Sequence, residues 1–318
     1  MRIVFMGTPE FAVPALKLLL EQNYNVVAVV TQPDRPKGRK KTLTPPPVKE
    51  AALSFGLPVL QPERMRSTEA VAAVAELKPD LIVTAAYGQI LPKAVLELPR
   101  LGCINVHGSL LPKYRGGAPI QRSIINGEST TGVTIMYMAE GLDTGDMISV
   151  VQLPITDEDT SGTMFEKLSI AGAELLGKTL PSIIAGEAKA EPQQDELASY
   201  APNLTREDER IDWNKSARHL FNQVRGLSPM AGAFTFLYGE VFKIWACAVV
   251  RDGAESASAA APGTVIAADN NGIIVQTGDG MLALKEIQPA GKRTMSAADW
   301  LKGARLEAGT RLGDGGAA

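Results

Sequence analysis

Residues 25–31 read Asn-Val-Val-Ala-Val-Val-Thr, with no polar side chain between the two ends and β-branched valines filling most of the interior. A strand with one wet face alternates apolar and polar residues. An unbroken apolar run needs cover on both faces, the situation of a parallel sheet sandwiched between helices. Comparable runs occur at 2–6, 80–85 and 103–106, with helix-like stretches at 11–20, 48–55 and 68–77 and a short strand at 59–60 between them. Strand and helix in alternation give an α/β chain, and the expected fold is a Rossmann-like, doubly wound, mostly parallel sheet. A helix is expected around 118–126. Strands at 131–138 and 147–153 are joined by too few residues for a helical crossover, so they are expected antiparallel. An amphipathic helix over 160–185, started by Thr160 or Ser161 and stopped by Gly186, follows.

In such folds the first strand–helix turn is the place for a dinucleotide. Here it reads Gly7-Thr8-Pro9-Glu10-Phe11-Ala12, without the second and third glycines of that fingerprint, and Glu10 puts a negative charge where a pyrophosphate would sit. NAD and ATP are excluded on that ground. At 318 residues the chain has room for two domains. The expected division is a first domain over 1–189, a polar linker over 190–208 containing Pro192 and Pro202, and a second domain over 209–318. The second holds a helix at 216–225, a hairpin at 234–250, and short strands at 263–267, 272–277 and 280–287. Asn-Asn-Gly and Gly-Asp-Gly turns separate those strands, which indicates a small antiparallel β-barrel, OB-like in type. The alanine- and serine-rich stretch 251–261 is expected to be a mobile loop, and 309–318 a frayed end.

Chemistry concentrates at 103–116, Cys-Ile-Asn-Val-His-Gly-Ser-Leu-Leu-Pro-Lys-Tyr-Arg-Gly. Asn105 and His107 are two apart on a strand and share a face at its carboxyl end, where α/β proteins place their sites. An imidazole accepts a proton and a carboxamide donates hydrogen bonds. Those are the functions needed to take a proton from an amine while a developing oxyanion is held. The bland alternative is a histidine that only caps a strand. The second histidine, His219, lies on a helix and is given no catalytic role. Downstream, Gly141-Leu142-Asp143-Thr144-Gly145-Asp146 connects the antiparallel strands, and their return would hold Asp143 at the same end of the sheet as His107, with Asp146 a turn residue. Cys103 shares the face of His107 but lies about 13 Å behind it along the strand, too deep for a nucleophile. The two cysteines form no disulfide framework, and no His/Cys cluster has metal-ligand spacing, so no metal is expected.

The segment from Asn105 to Pro112, followed by that from Gly141 to Asp146, resembles the paired signature of the 10-formyltetrahydrofolate-dependent formyltransferases. The resemblance implies that Asn105, His107 and Asp143 are catalytic, and that Ser109, Leu110, Leu111 and Pro112 contact the folate co-substrate. The whole chain is most similar to the members of that family that formylate initiator Met-tRNA, which implies a role in translation initiation. A departure from the family pattern is Met230-Ala231, where a second proline is expected after Pro229; it bears on no catalytic residue.

Residues 33–47 carry Arg35, Lys37, Arg39, Lys40 and Lys41 among prolines and a glycine, in a loop without expected secondary structure. Because the net charge is only −3, nucleic-acid contact has to be local. A basic loop beside the sheet edge that carries the motifs suits phosphate backbone. In the tRNA-acting members a basic loop inserted here enters the acceptor stem, so the resemblance makes Arg39 its key residue, with Lys37, Lys40 and Lys41 in support. The runners-up are a formyltransferase acting on a nucleotide-linked amino sugar, a formyltetrahydrofolate hydrolase, and a folate-sensing or RNA-binding protein without catalysis. The chain opens directly into a strand, no apolar run approaches the ~20 residues of a membrane span, and a cytoplasmic monomer is expected.

Overall fold

The computed structural model describes residues 1–38, 40–250, 260–269 and 272–313. They form two compact units, neither a single run of sequence: one comprises Met1–Pro119, Thr130–Pro154 and Phe165–Pro202, the other Ile120–Ser129, Ile155–Met164 and the chain from Asn203 onward.

The first unit is built on strands β1 (Ile3–Gly7), β2 (Val26–Val30), β5 (Val59–Leu60), β6 (Leu81–Ala85), β7 (Cys103–His107), β8 (Thr130–Tyr137) and β9 (Met147–Pro154), in the order β5-β2-β1-β6-β7-β8-β9. From β5 to β7 every pairing is parallel; β8 and β9 are antiparallel additions. All five residues of β1 and of β6 are buried, as the continuous apolar runs require. The first unit's helices are α1 (Val13–Glu21), α2 (Pro47–Ser54), α3 (Thr68–Glu76), α4 (Lys93–Leu96) and, from Phe165 onward, α6 (Ser161–Ala185), whereas α5 (Pro119–Ile125) groups with the second unit from Ile120. Proline opens α1 and α2, where its missing N–H costs nothing. Ser67 caps α3 by accepting from the Ala70 N–H at 3.2 Å. By length and composition α6 could cross a membrane. Glu166, Lys167, Glu174 and Lys178 interrupt it, however, while Leu168, Leu176, Leu180 and Ile183 are buried, the pattern of a helix laid on a core.

The basic segment departs from the expected irregular loop. It forms a two-stranded antiparallel hairpin, β3 (Arg35–Lys37) against β4 (Thr42–Thr44). Gly38 and Lys41 both take left-handed backbone, and the Lys41 N–H closes the turn on the Gly38 carbonyl at 3.1 Å. Alternation was hidden because nearly every side chain of this arm faces solvent, so no apolar face marks the strands.

The second unit is a six-stranded antiparallel sheet: β10 (Ala233–Leu237), β11 (Glu240–Val249), β14 (Met281–Pro289), β13 (Gly272–Gln276) and β12 (Val265–Asp269) in that spatial order, with β15 (Met295–Ser296) on β14. Helix α7 (Ala217–Leu227) contributes Leu220, Val224 and Leu227 to a core shared with Trp213, Phe242, Ile244, Ile273 and Leu284. A last helix, α8 (Ala297–Leu301), is capped by Ser296. Most of the loop expected at 251–261, the Asn270-Asn271 turn and the end from 314 lie outside the described residues.

Candidate active site

His107 ends β7, and the loop after it folds back so that the ring is only 5% exposed. Nε2 lies 3.1 Å from the carbonyl oxygen of Tyr114. A carbonyl only accepts, so Nε2 carries a hydrogen and the neutral ring presents Nδ1 as its basic atom. Nδ1 faces Oδ2 of Asp143 at 3.7 Å. That is longer than a direct hydrogen bond, yet near enough for the carboxylate to hold a protonated ring.

Asp143 comes from the β8–β9 connection, but the antiparallel return does not by itself put it beside His107. β8 leaves the sheet next to Ile104 and Cys103, at the amino end of β7, and the connection folds back to bring the carboxylate to the ring. Its Oδ2 accepts the Gly116 N–H at 2.8 Å. Gly116 has φ +121° and a Cβ there would meet the Ala201 carbonyl oxygen at 2.8 Å, so glycine is required. Ala86, Tyr114 and Asp143, all non-glycine, are held at positive φ of 45°, 61° and 52°. Such backbone costs roughly 1–3 kcal/mol per residue and persists only where surroundings enforce it. Ala86 directly follows β6, Tyr114 supplies the carbonyl to His107, and Asp143 the carboxylate.

Asn105 lies beside Thr84 in the β6–β7 pairing, and the Thr84 hydroxyl donates to its Oδ1 at 2.8 Å. With Oδ1 turned to Thr84, the two Nδ2 hydrogens have no protein partner among the described residues. They are the donors an oxyanion would take.

The segment from Ser109 to Pro112 is more inward than a contact surface suggests. Ser109 is fully buried, its hydroxyl donating to the Lys113 carbonyl at 2.7 Å and its own carbonyl accepting from Thr134 at 2.7 Å. Leu111 is 7% exposed, which leaves Leu110 and Pro112 as the half-exposed pair. On the hairpin, Arg35 pairs with Glu63 at 3.0 Å. Lys37, Lys40 and Lys41 are exposed without an ion pair among the described residues; Arg39 lies outside those residues. Cys103 points its thiol at the Val95 and Leu96 carbonyls, and burial pushes its pKa up to about 12. Among the described residues no three His, Cys, Asp or Glu side chains are grouped to hold a metal ion.

Sequence reading missed the residues that fix this geometry. Thr84 lies inside an apolar strand, where a hydroxyl carries no pattern. Arg115 and Gln193 come together only in the fold: Nε and Nη2 of Arg115 donate to Oε1 of Gln193 at 3.0 and 2.8 Å. Part of the expected linker, 191–201, is thereby hydrogen-bonded into the first unit, with the Arg115 N–H on the Ser199 carbonyl at 2.8 Å. A polar, proline-bearing stretch reads as linker because its anchors are backbone groups and polar side chains, none of which leaves an apolar trace.

Comparison with known proteins bears on the family of the chain. The formyl transferase family matches residues 1–180, and its C-terminal domain matches 203–305. A methionyl-tRNA formyltransferase of Bacillus subtilis is 57% identical over 313 residues, covering 98% of each chain. Among solved structures, an N-formyltransferase from Helicobacter canadensis bound to folinic acid and dTDP-3-aminofucose superposes with TM-score 0.66 at 19% identity, over 90% of this chain and 98% of that one. HypX from Aquifex aeolicus in complex with tetrahydrofolic acid superposes with TM-score 0.64 at 18% identity; the match covers 96% of this chain but only 48% of HypX, so this chain spans about half its length. The two structural likenesses speak for the fold, whereas the family match and the full-length relative speak for descent: the chain belongs to the formyl transferase family, with both its N-terminal and its C-terminal domain.

Proposed function

We propose that the protein transfers the formyl group of 10-formyltetrahydrofolate to the α-amino group of methionine on initiator Met-tRNA, for translation initiation. The amine nitrogen attacks the formyl carbon, a C–N bond forms, and the carbonyl electron pair moves onto oxygen. The Nδ2 hydrogens of Asn105 hold that oxyanion. The attacking nitrogen has to shed a proton, and Nδ1 of His107 takes it, directly or through water, with Asp143 holding the resulting imidazolium. Collapse breaks the bond to the folate nitrogen, which leaves with a proton as tetrahydrofolate. With the Nε2 hydrogen given to the Tyr114 carbonyl, Nδ1 is the ring atom that takes the proton. Leu110 and Pro112 of the Ser109-to-Pro112 segment line the folate. Arg39, Lys37, Lys40 and Lys41 meet tRNA phosphates, and residues 209–318 form a further tRNA-binding domain. No metal takes part, and the enzyme acts as a cytoplasmic monomer.

The acceptor rests on one observation: 57% identity across 98% of both chains to a protein named for methionyl-tRNA. The test is formyl transfer to initiator Met-tRNA, elongator Met-tRNA, free methionine and a nucleotide-linked amino sugar at two salt concentrations. Transfer to the initiator alone, weakening steeply with salt, is expected. Transfer to the amino sugar, or release of formate with no acceptor formylated, would overturn the reading.

A further inference from the structure

We propose that residues 193–201 act as a strap that sets the groups facing the two His107 nitrogens, and that Gln193 is a positioning residue for Asp143. The proposal rests on the catalytic role assigned above to His107 and Asp143.

The carboxamide of Gln193 is used to capacity. Its Nε2 donates to the carbonyls of Asp143 and Gly145, each at 2.8 Å. Its Oε1 accepts two N–H groups from Arg115, at 3.0 and 2.8 Å. The guanidinium it grips is only 2% exposed and is neutralised by Asp195 at 2.7 Å. A carboxamide alone among side chains of this length offers two donors and an acceptor with two lone pairs on one rigid plane. Further along the strap, the Tyr114 N–H donates to the Ser199 hydroxyl at 3.0 Å. The Ala201 N–H donates to the Arg115 carbonyl at 2.7 Å, and the Ala118 N–H to the Ala201 carbonyl at 3.0 Å. The strap thus fastens the backbone on both sides of the Gly116 N–H that Asp143 accepts, and fixes Tyr114, whose carbonyl takes the Nε2 hydrogen of His107. From the other direction Gln193 holds the loop that carries Asp143 itself. Two left-handed, non-glycine residues, Tyr114 and Asp143, are kept in place by the same nine-residue stretch, 193–201.

A residue that works through Asp143 has nothing left to do once that carboxylate is gone. The experiment is a double-mutant cycle in steady-state formyl transfer, using Gln193→Ala, Asp143→Asn and both together. Gln193→Ala should lower kcat roughly 10–100-fold, the scale of a misplaced catalytic group, with KM for folate and tRNA changed by less than about 2-fold. In the Asp143→Asn background the same substitution should cost less than about 2-fold. Gln193→Glu keeps an acceptor for Arg115, and so keeps the strap anchored, but turns lone pairs toward the two loop carbonyls; it should lose as much kcat as alanine does. It also keeps the test open if the alanine variant does not fold. Losses that multiply in the double mutant, a wild-type kcat for Gln193→Glu, or an effect confined to KM would each overturn the strap. Failure of the wild-type protein to formylate any acceptor would instead overturn the proposed function.

Discussion

The surroundings of His107 and the β3–β4 hairpin answer two different physical demands. Around His107 the ring is 5% exposed, a carbonyl and a carboxylate face its two nitrogens, and three residues are held in costly backbone. On the hairpin, Lys37, Lys40 and Lys41 are exposed, and Arg35 has its Glu63 partner in an exposed bridge. Proton transfer loses rate with each fraction of an ångström of misplacement, so its geometry has to be over-determined. Attraction to a polyanion falls off over about 8–10 Å at ordinary salt and accepts many rotamers, so unpaired lysines on a short arm suffice. The contrast teaches that one region is sensitive to single atoms and the other to summed charge.

That difference is broken most severely at Asn105. Replacing it with alanine removes the proposed oxyanion donors and should lower kcat ~100–1,000-fold, about 2.7–4 kcal/mol of barrier, with little change in KM for tRNA. Near-normal turnover would put the oxyanion elsewhere. Changing Lys37, Lys40 and Lys41 together to alanine should do the reverse: kcat unchanged and KM for tRNA raised. The slope of log affinity against log salt should also fall by about 2–3, one counterion per lost phosphate contact. A kcat loss with an unaltered salt slope would show that the arm positions the substrate rather than attracts it.

How much of this was legible beforehand follows the same divide. The parallel sheet declared itself through runs such as Val26–Val30, because burial on both faces writes itself into every residue. The shared face of Asn105 and His107 was readable because a two-residue spacing on a strand is local geometry; the approach of Asp143 was not, because β8 ends beside Ile104 and its connection has to fold back to reach His107. Arg115 and Gln193 were not: they are 78 residues apart, and an arginine–glutamine contact leaves no periodicity on either side. The hairpin strands were missed for the opposite reason, since an arm exposed on both faces has no alternation to read. Residues 120–129 and 155–164 group with the second unit although nothing in their composition separates them from the flanking strands.

Thr84 sharpens the comparison at a finer grain. Its hydroxyl touches the Asn105 carboxamide at 2.8 Å, and Thr84→Val keeps the shape while deleting the donor. One hydrogen bond of this kind is worth about 1 kcal/mol, so kcat should fall roughly 5-fold, far less than for Asn105→Ala. A loss as large as that of Asn105→Ala would mean the carboxamide cannot orient itself without this partner.

The smallest effect belongs to β7, the strand of Asn105 and His107. Cys103 and His107 both lie on β7 and, four residues apart, on one face. Desolvation disfavours the thiolate and raises the thiol pKa to about 12. Since the raised value keeps the proton on sulfur until pH approaches 12, the reactive thiolate at pH 8 is about one part in ten thousand. Native protein treated with iodoacetamide at pH 8 should therefore keep full activity and show no alkylation of Cys103 by mass spectrometry, while unfolded protein is labelled. Rapid labelling of the native chain would mean that solvent reaches the interior end of β7. The barrier between a dry structural stretch and a reactive terminus would then have to lie nearer His107 than its burial indicates.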